Sequence, residues 1–357
     1  MKIAFDAKRY YHNNTGLGNY SRTIVGGLQR LYPDNSYVLY DARTLPRTFS
    51  LAHRARREGC DIFHGLSNEL PLRLPDSMPT VVTMHDVAWR TFPDMYHAAD
   101  RVIYDFKYGR ACRNATHVIA ISESTKRDVM RFYGVPEENI SVIYQPVQEF
   151  YYTPLSADEA ETAVSNRFGG SLPSDFILYV GSINSRKNLI AVIDALAMLK
   201  PDNRPFLLVV GNGRAYRTLV EQRIEQYGLR NSVAIATDIH NNTLLQALYA
   251  KARLFVYPSF YEGFGLPVVE AALQQTPVIT TTVSSLPEAA GPDACLINPH
   301  SSCAAEQMAH HIARLTADDS LNRHTGKAME QYARTHFDPT MLTHRMMHLY
   351  RRLTGNC

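Results

Sequence analysis

Short β-rich runs alternate with longer helical stretches along almost the whole chain, and this alternation restricts the fold more than any other feature of the sequence. The first series of runs is Lys2–Ala7, Tyr37–Tyr40, Ile62–His64, Thr80–Met84, His117–Ile121 and Ser141–Tyr144. The second is Phe176–Val180, Phe206–Val210, Val233–Ala236, Leu254–Tyr257, Val278–Thr280 and Cys295–Ile297. Helical stretches such as Asn19–Leu31, Glu123–Tyr133, Leu189–Leu199, Tyr216–Tyr227, Thr243–Ala250 and Pro267–Gln274 lie between them. Strands alternating with helices imply parallel sheets. Two such series predict an α/β protein with two Rossmann-like, doubly wound domains facing each other across a cleft. The junction falls near Gln145–Pro154, which gives domains 1–150 and 151–339, and 357 residues suit two domains better than one.

Composition narrows the function classes. A hydrophobic share of 45% and a charged share of 20% are those of an ordinary globular protein. The start MKIAFDAKRYY has no apolar h-region, so no signal peptide is expected. No apolar run approaches the ~18 residues that span a bilayer. The five cysteines are scattered with no C-x-x-C, which supports neither a zinc ribbon nor a disulfide framework and points to the cytoplasm. A net charge of +3 is too small to argue for nucleic acid, but its distribution is uneven. Residues 1–134 hold 19 Lys and Arg against 13 Asp and Glu, including Arg43, Arg47, Arg54, Arg56, Arg57, Lys126, Arg127 and Arg131. The plain reading of these cations is a solvated helix face. The functional one is attraction to anionic lipid or to a phosphate-bearing acceptor.

In an open parallel sheet the ligand sits beyond the carboxyl ends of the strands, and the unusual residues cluster there. Directly after Leu254–Tyr257 comes Glu262-Gly-Phe-Gly-Leu-Pro-Val-Val-Glu270. Gly263 and Gly265 let backbone approach a ligand, and Pro267 suits a first helical turn. Glu270, expected in that first turn, offers a carboxylate to two ribose hydroxyls, and Glu262 can contact a transferred sugar. After Phe176–Val180 comes Gly181-Ser-Ile-Asn-Ser-Arg186-Lys187-Asn188. Two adjacent cations at a helix start oppose its dipole, a cost that a bound diphosphate offsets. The alternative readings are an ordinary strand-to-helix turn and a surface Arg-Lys pair.

Three weaker signals lie in the first half. The loop from Asn13 through Gly16 and Gly18 to Tyr20 resembles a phosphate-cradling turn, although a plain tight turn explains it too. Met84-His85-Asp86 ends a strand; His85 can donate to a sugar hydroxyl or phosphate, and Asp86 can orient the ring or the sugar. Ser122 reads first as a helix N-cap and second, with Tyr20, as an acceptor contact. Neither glycine loop completes G-x-G-x-x-G, so a nicotinamide site is not supported. No Asp-x-Asp and no metal-spaced cluster occurs, so no cofactor and no metal are expected.

Taken together, the motifs G-S-I-N-S-R-K-N-L (181–189), V-G-N-G (210–213), L-Y-A-K-A-R-L-F-V-Y-P-S (248–259), E-G-F-G-L-P-V-V-E (262–270), P-V-I-T-T (277–281) and S-L-P-E-A-A-G (285–291) resemble glycosyltransferase family 4. The resemblance runs from Met1 to about Leu353. It implies the GT-B architecture and a retaining, metal-independent transfer from a nucleoside-diphosphate sugar. By position, Arg186 and Lys187, with Gly181 beside them, bind the diphosphate, and Glu270 the ribose. Glu262 and the backbone of Gly263, Phe264, Gly265 and Leu266 hold the sugar. His85 matches the family histidine near the sugar in the first domain, and Gly16 and Gly18 its N-terminal glycine loop. Segment Asp238–Leu245 is expected beside the base, and the last helix, within 340–357, to return to the first domain. The chain departs from the family's E-A-M-A-x-G with E-A-A-L-Q-Q-T, which puts Gln at position 275.

The resemblance favours mannose from GDP-mannose, passed to a glycan or lipid-linked glycan in surface polysaccharide (lipopolysaccharide) synthesis at the inner face of the membrane. UDP-glucose or another UDP-sugar, and a sugar-nucleotide epimerase of the same architecture, stay open. Two routes also stay open: attack from the leaving-group side, or double displacement through Asp86 or Glu262. All of this requires Arg186 and Lys187 to be kept out of internal ion pairs and near Glu262 and Glu270.

Overall fold

The computed structural model describes residues 1–13, 16–41, 49–239 and 241–355. They form two compact units, Met1–Gln148 with Phe337–Cys357, and Glu149–His336. The described residues hold two six-stranded sheets. Every strand pairing in both is parallel.

In the first unit the strands are β1 (Lys2–Asp6), β2 (Ser36–Tyr40), β3 (Ile62–Gly65), β4 (Thr80–Met84), β5 (His117–Ala120) and β6 (Ile140–Val142), in the order β2-β1-β3-β4-β5-β6. β3, β4 and β5 are buried along their whole length, as expected of strands covered on both faces. β6 ends at Val142, opposite Ala120, because its partner β5 ends there; the run expected at Ser141–Tyr144 therefore lies about two residues too late.

In the second unit, β7 (Phe176–Val180), β8 (Phe206–Val210), β9 (Val233–Ala236), β10 (Leu254–Tyr257), β11 (Val278–Thr281) and β12 (Cys295–Ile297) follow the order β12-β11-β10-β7-β8-β9. Read from the other edge, this is the doubly wound order 3-2-1-4-5-6 of a dinucleotide-type fold. Chain direction across the sheet reverses between β7 and β10. Leu189, Val192, Ile193 and Leu196 of the helix Leu189–Met198 pack with Ile177, Tyr179, Leu207, Val209 and Val256 to form the core.

The last helix, Pro339–Thr354, belongs to the first unit. A Cβ on Gly27 would lie 2.6 Å from Thr343 Oγ1, so the helix Gly16–Leu31 accepts it only through a glycine. Tyr350 anchors its far end, with its hydroxyl 2.5 Å from His64 Nδ1 on β3. The helix Ala98–Asn114, absent from the sequence reading, is the longest addition the structure makes to the first unit. Arg43 and Arg47 of the expected basic stretch lie outside the described residues. Arg54, Arg56 and Arg57 end a helix (Leu51–Arg57), where cations suit the dipole, and Arg54 pairs with Glu58 at 2.7 Å. Lys126 pairs with Glu137 at 2.8 Å.

Candidate active site

The reversal between β7 and β10 brings together the two motifs on which the sequence reading rests. β7 leads into Gly181, whose amide donates to Val210 O at 2.9 Å, and then to a short 3-10 turn, Ser185–Lys187. Asn184 caps this turn, and Asn188 leaves it in the left-handed region at φ 53°. Arg186 and Lys187 therefore sit on a tight turn at the start of the helix, which begins at Leu189 as expected. β10 leads through Ser259 into the Glu262 loop. Phe260 N donates to Arg186 O at 2.8 Å and ties the two loops together.

Lys187, 8% exposed, donates to Glu262 Oε1 at 2.5 Å and to the Tyr257 hydroxyl, and its ammonium lies 4.7 Å from the centre of the Tyr257 ring. Arg186 reaches Glu262 Oε2 at 3.2 Å and donates to Tyr261 O. Ser259 Oγ donates to Glu262 Oε1 at 2.6 Å. Burial alone would raise the Glu262 pKa. Lys187, Arg186 and these hydrogen bonds overcome that and hold it below the usual carboxylate range. The sequence reading expected cations free of internal pairs, and this is a correction. The physical reason is burial: ammonium and guanidinium groups withdrawn from water require a counter-charge. The partner is itself a candidate residue, and its one carboxylate is shared by both cations at the strand ends.

Glu262 is also positioned from behind. Its amide donates to Ser284 Oγ at 3.0 Å, and Ser285 Oγ donates to Glu262 O and Phe264 O, each at 2.8 Å. Gly265 has φ 112°, a conformation that side chains resist, and opens the helix Leu266–Leu273. Leu266 is then the first helical residue, and Gly263 lies one residue past Glu262 in the loop. Glu270 falls in the second turn of this helix, not the first. Tyr249 donates to its carboxylate at 3.0 Å, and Tyr151 is a second partner. Burial pushes its pKa up to about 7 against these two hydrogen bonds. Sequence reasoning missed Tyr151, Tyr249, Tyr257 and Ser259; the last three lie inside the quoted 248–259 motif, where their chemistry went unread.

Gly211 and Gly213 follow β8. A Cβ on Gly211 would lie 1.9 Å from Gly181 O, and one on Gly213 2.3 Å from Ile183 O. These glycines therefore serve close backbone packing against the cation loop. Part of the segment expected beside a base, Asn241, Thr243 and Leu244, lines a cavity of about 620 Å³ with Asp158, Glu159 and Asn166 of the helix Ala157–Phe168.

In the first unit the reversal lies between β1 and β3, and His85 stands near it. His85 is buried, its Nε2 donates to Leu66 O at 2.9 Å, and its amide donates to Asn68 Oδ1 at 2.7 Å. Burial lowers its pKa to about 4, so the ring is neutral. Asp86 accepts from Ala88 N at 3.2 Å, while the carbonyl of Leu66 orients the imidazole. Tyr20 packs edge-on against His85 at 4.7 Å, and its hydroxyl lies 3.0 Å from Thr83 Oγ1. Tyr20 and Ser122 are both fully buried. Ser122 Oγ accepts from Thr125 N at 3.0 Å as an N-cap and donates to Thr125 Oγ1. Their contacts here are packing for Tyr20 and, for Ser122, the N-cap that is its first reading. Gly16 and Gly18 lie inside the helix Gly16–Leu31, which starts earlier than expected. Gly18 N donates to Asn13 Oδ1 at 3.1 Å, and a Cβ there would lie 1.7 Å from Asn13 O, so close packing explains this glycine. Among the described residues, no three His, Cys, Asp or Glu side chains converge as metal ligands, and no helix is long and apolar enough to cross a membrane.

Two parallel doubly wound sheets, with Lys187 and Arg186 at the strand reversal of the second, are the arrangement of the GT-B glycosyltransferase fold. The profile "Glycosyl transferases group 1" matches residues 165–335, and "Glycosyltransferase Family 4" matches 16–149. The chain belongs to glycosyltransferase family 4. It is 31% identical over 261 residues to O-antigen chain mannosyltransferase B of Escherichia coli, covering 72% of this chain and 66% of that protein. It is 31% identical to the serotype-specific mannosyltransferase WbdA of Escherichia coli over 67% of this chain, but spans only 30% of that much longer protein. Among solved structures it superposes on Anabaena HepE in complex with UDP-glucose with a TM-score of 0.75 at 17% identity, over 99% of this chain and 100% of that one.

Proposed function

We propose that the chain is a retaining, metal-independent mannosyltransferase that uses GDP-mannose and serves surface polysaccharide synthesis, with a glycan or lipid-linked glycan as acceptor. The observation that carries the reading is the Arg186–Lys187–Glu262 cluster at the β7/β10 reversal. Two adjacent cations, one of them buried, at the carboxyl ends of parallel strands suit a diphosphate. The mannosyltransferases among its relatives favour mannose.

In this proposal Arg186 and Lys187 take up negative charge that grows on the diphosphate as the sugar–phosphate bond breaks. Glu270 accepts from the ribose, exchanging its tyrosine partners for the diol. Glu262, released in part from the cations, orients the sugar with the backbone of Gly263, Phe264, Gly265 and Leu266. Gly181 keeps the approach to the diphosphate open. His85, neutral and with Nε2 already donating, presents its ring to the sugar beside Asp86, near Gly16 and Gly18. Attack from the leaving-group side is preferred over a Glu262 nucleophile, because both Glu262 oxygens already accept from cations or Ser259. No cofactor enters this scheme. The residues of the first unit carry the acceptor, and the second unit the donor.

The test is a thermal-shift screen with GDP-, UDP- and ADP-sugars, followed by transfer assays and product NMR. A bound donor raises the melting temperature according to its affinity. Stabilisation by GDP-mannose and an α-mannosyl product support the reading, and stabilisation by UDP-glucose alone replaces the donor. A sugar changed in donor-only incubation marks an epimerase, and no response to any nucleotide-sugar sinks the reading.

A further inference from the structure

The helix Ala98–Asn114 is apolar on two opposite sides. Tyr104, Tyr108, Ala111 and Cys112 face the core of the first unit. Ala99, Val102, Ile103 and Phe106 follow the i, i+3, i+4, i+7 spacing of a single stripe on the other side. That stripe is in water: Val102 is 68% exposed, Ile103 48% and Phe106 60%, and Met95, just before the helix, is 39% exposed. Single exposed apolar residues need no explanation, but a contiguous stripe of large ones does.

Cations border the stripe. Arg110 and Arg113 lie at i+4 and i+7 from Phe106, so the outer side runs from apolar to basic along the helix. Arg110 also donates to Leu72 O at 2.7 Å, and Arg113 is exposed. Lys107 flanks the stripe. Of the helix's two carboxylates, Asp105 is held by Arg90 at 2.7 Å and by Trp89, and Asp100 lies to one side; Asp94 precedes the helix. Apolar side chains framed by long cationic ones match the boundary between acyl chains and anionic headgroups.

We infer that the outer face of the helix Ala98–Asn114 docks the protein on a bilayer containing anionic phospholipid, Val102, Ile103 and Phe106 entering the interface and Arg110 and Arg113 meeting lipid phosphates. This deepens the proposed function, since a lipid-linked acceptor is met at such a surface, but the docking itself needs no donor.

The full chain is sedimented with vesicles of phosphatidylcholine alone and of phosphatidylcholine mixed with phosphatidylglycerol, without nucleotide-sugar. Binding is expected to the mixed vesicles only and to weaken with salt. The double variant Val102→Ser, Phe106→Ser should lower partitioning at least about tenfold, and Arg113→Glu should lower it as well, with circular dichroism unchanged. The inference is overturned if the wild-type chain stays in solution with the mixed vesicles, or if both variants bind like the wild type. It is also overturned if light scattering shows a dimer that the double variant dissociates while vesicles take up no protein. Vesicle binding without any sugar transfer would sink the transferase reading and leave this one standing.

Discussion

Lys187 Nζ lies 2.5 Å from one oxygen of Glu262, and the guanidinium of Arg186 lies 3.2 Å from the other. A single carboxylate thus holds two cations that leave the sheet on a different loop, 75 positions earlier in the chain. The arrangement keeps both cations in place without a ligand. In the proposed function a diphosphate entering there would compete with Glu262 and free that carboxylate for a sugar hydroxyl.

Removing the shared carboxylate should therefore be costly even without substrate. Glu262→Gln takes the shared carboxylate from the buried Lys187 and the part-buried Arg186, and breaking a buried pair costs about 3 kcal/mol. The native carboxylate has a lowered pKa, so its stabilising effect is complete above the ordinary carboxylate range and disappears as pH falls through the lowered value. Urea melts across acidic pH should show the variant less stable at pH 7 and closing on the wild type in acid. Equal stability at pH 7 would mean that the pair contributes nothing.

Lys187→Ala tests the catalytic half of the proposal. Glu262 keeps Arg186 and Ser259, so the fold should persist, which a melting curve checks. Loss of a charge that acts mainly in the transition state should lower kcat by roughly 100-fold and change KM far less. A variant with unchanged turnover would remove Lys187 from the chemistry.

Much of this architecture was legible because parallel strands are uniform apolar runs. Phe176–Val180, Phe206–Val210, Val233–Ala236 and Leu254–Tyr257 are read from sequence with the bounds the structure gives them. The two motifs were legible because they follow β7 and β10, but nothing in one chain shows that Glu262 closes on Lys187. The helix Ala98–Asn114 escaped for a different reason. Apolar residues on both of its sides erase the single-faced 3.6 periodicity that marks a surface helix. The Ser122 cap was legible from its place between a strand and a helix, whereas only the structure shows that Tyr20 is buried against His85.

Position 275, where the family motif has glycine, is Gln275 at φ +60°. A non-glycine residue in the left-handed region costs roughly 1 kcal/mol, partly offset by the lower chain entropy of the unfolded form. The Gln275 side chain is exposed, so Gln275→Gly should stabilise the protein by about 0.5 kcal/mol. The reciprocal change, Gly326→Ala, would place a Cβ 2.0 Å from Gln275 O and should destabilise by more than ~2 kcal/mol. Calorimetric melting of both variants checks the pair, and a destabilised Gln275→Gly would show that its side chain matters.

Glu270 gives the pH dependence its direction. Burial raises its pKa to about 7 despite hydrogen bonds from Tyr249 and Tyr151, well above that of an unfolded glutamate. Between the two values the folded chain binds a proton that the unfolded chain has lost, so stability falls as pH rises from about 5 to about 8. Glu270→Gln removes the titration, so its melting temperature should vary less over this interval and exceed that of the wild type at the alkaline end. Donor binding should run the opposite way in the wild type, because an ionised carboxylate is the better acceptor for a ribose diol. Donor affinity should therefore rise with pH through about 7 and become flat in the variant. Parallel melting and donor titrations across this range test both limbs, and a wild-type affinity indifferent to pH would separate Glu270 from the nucleotide.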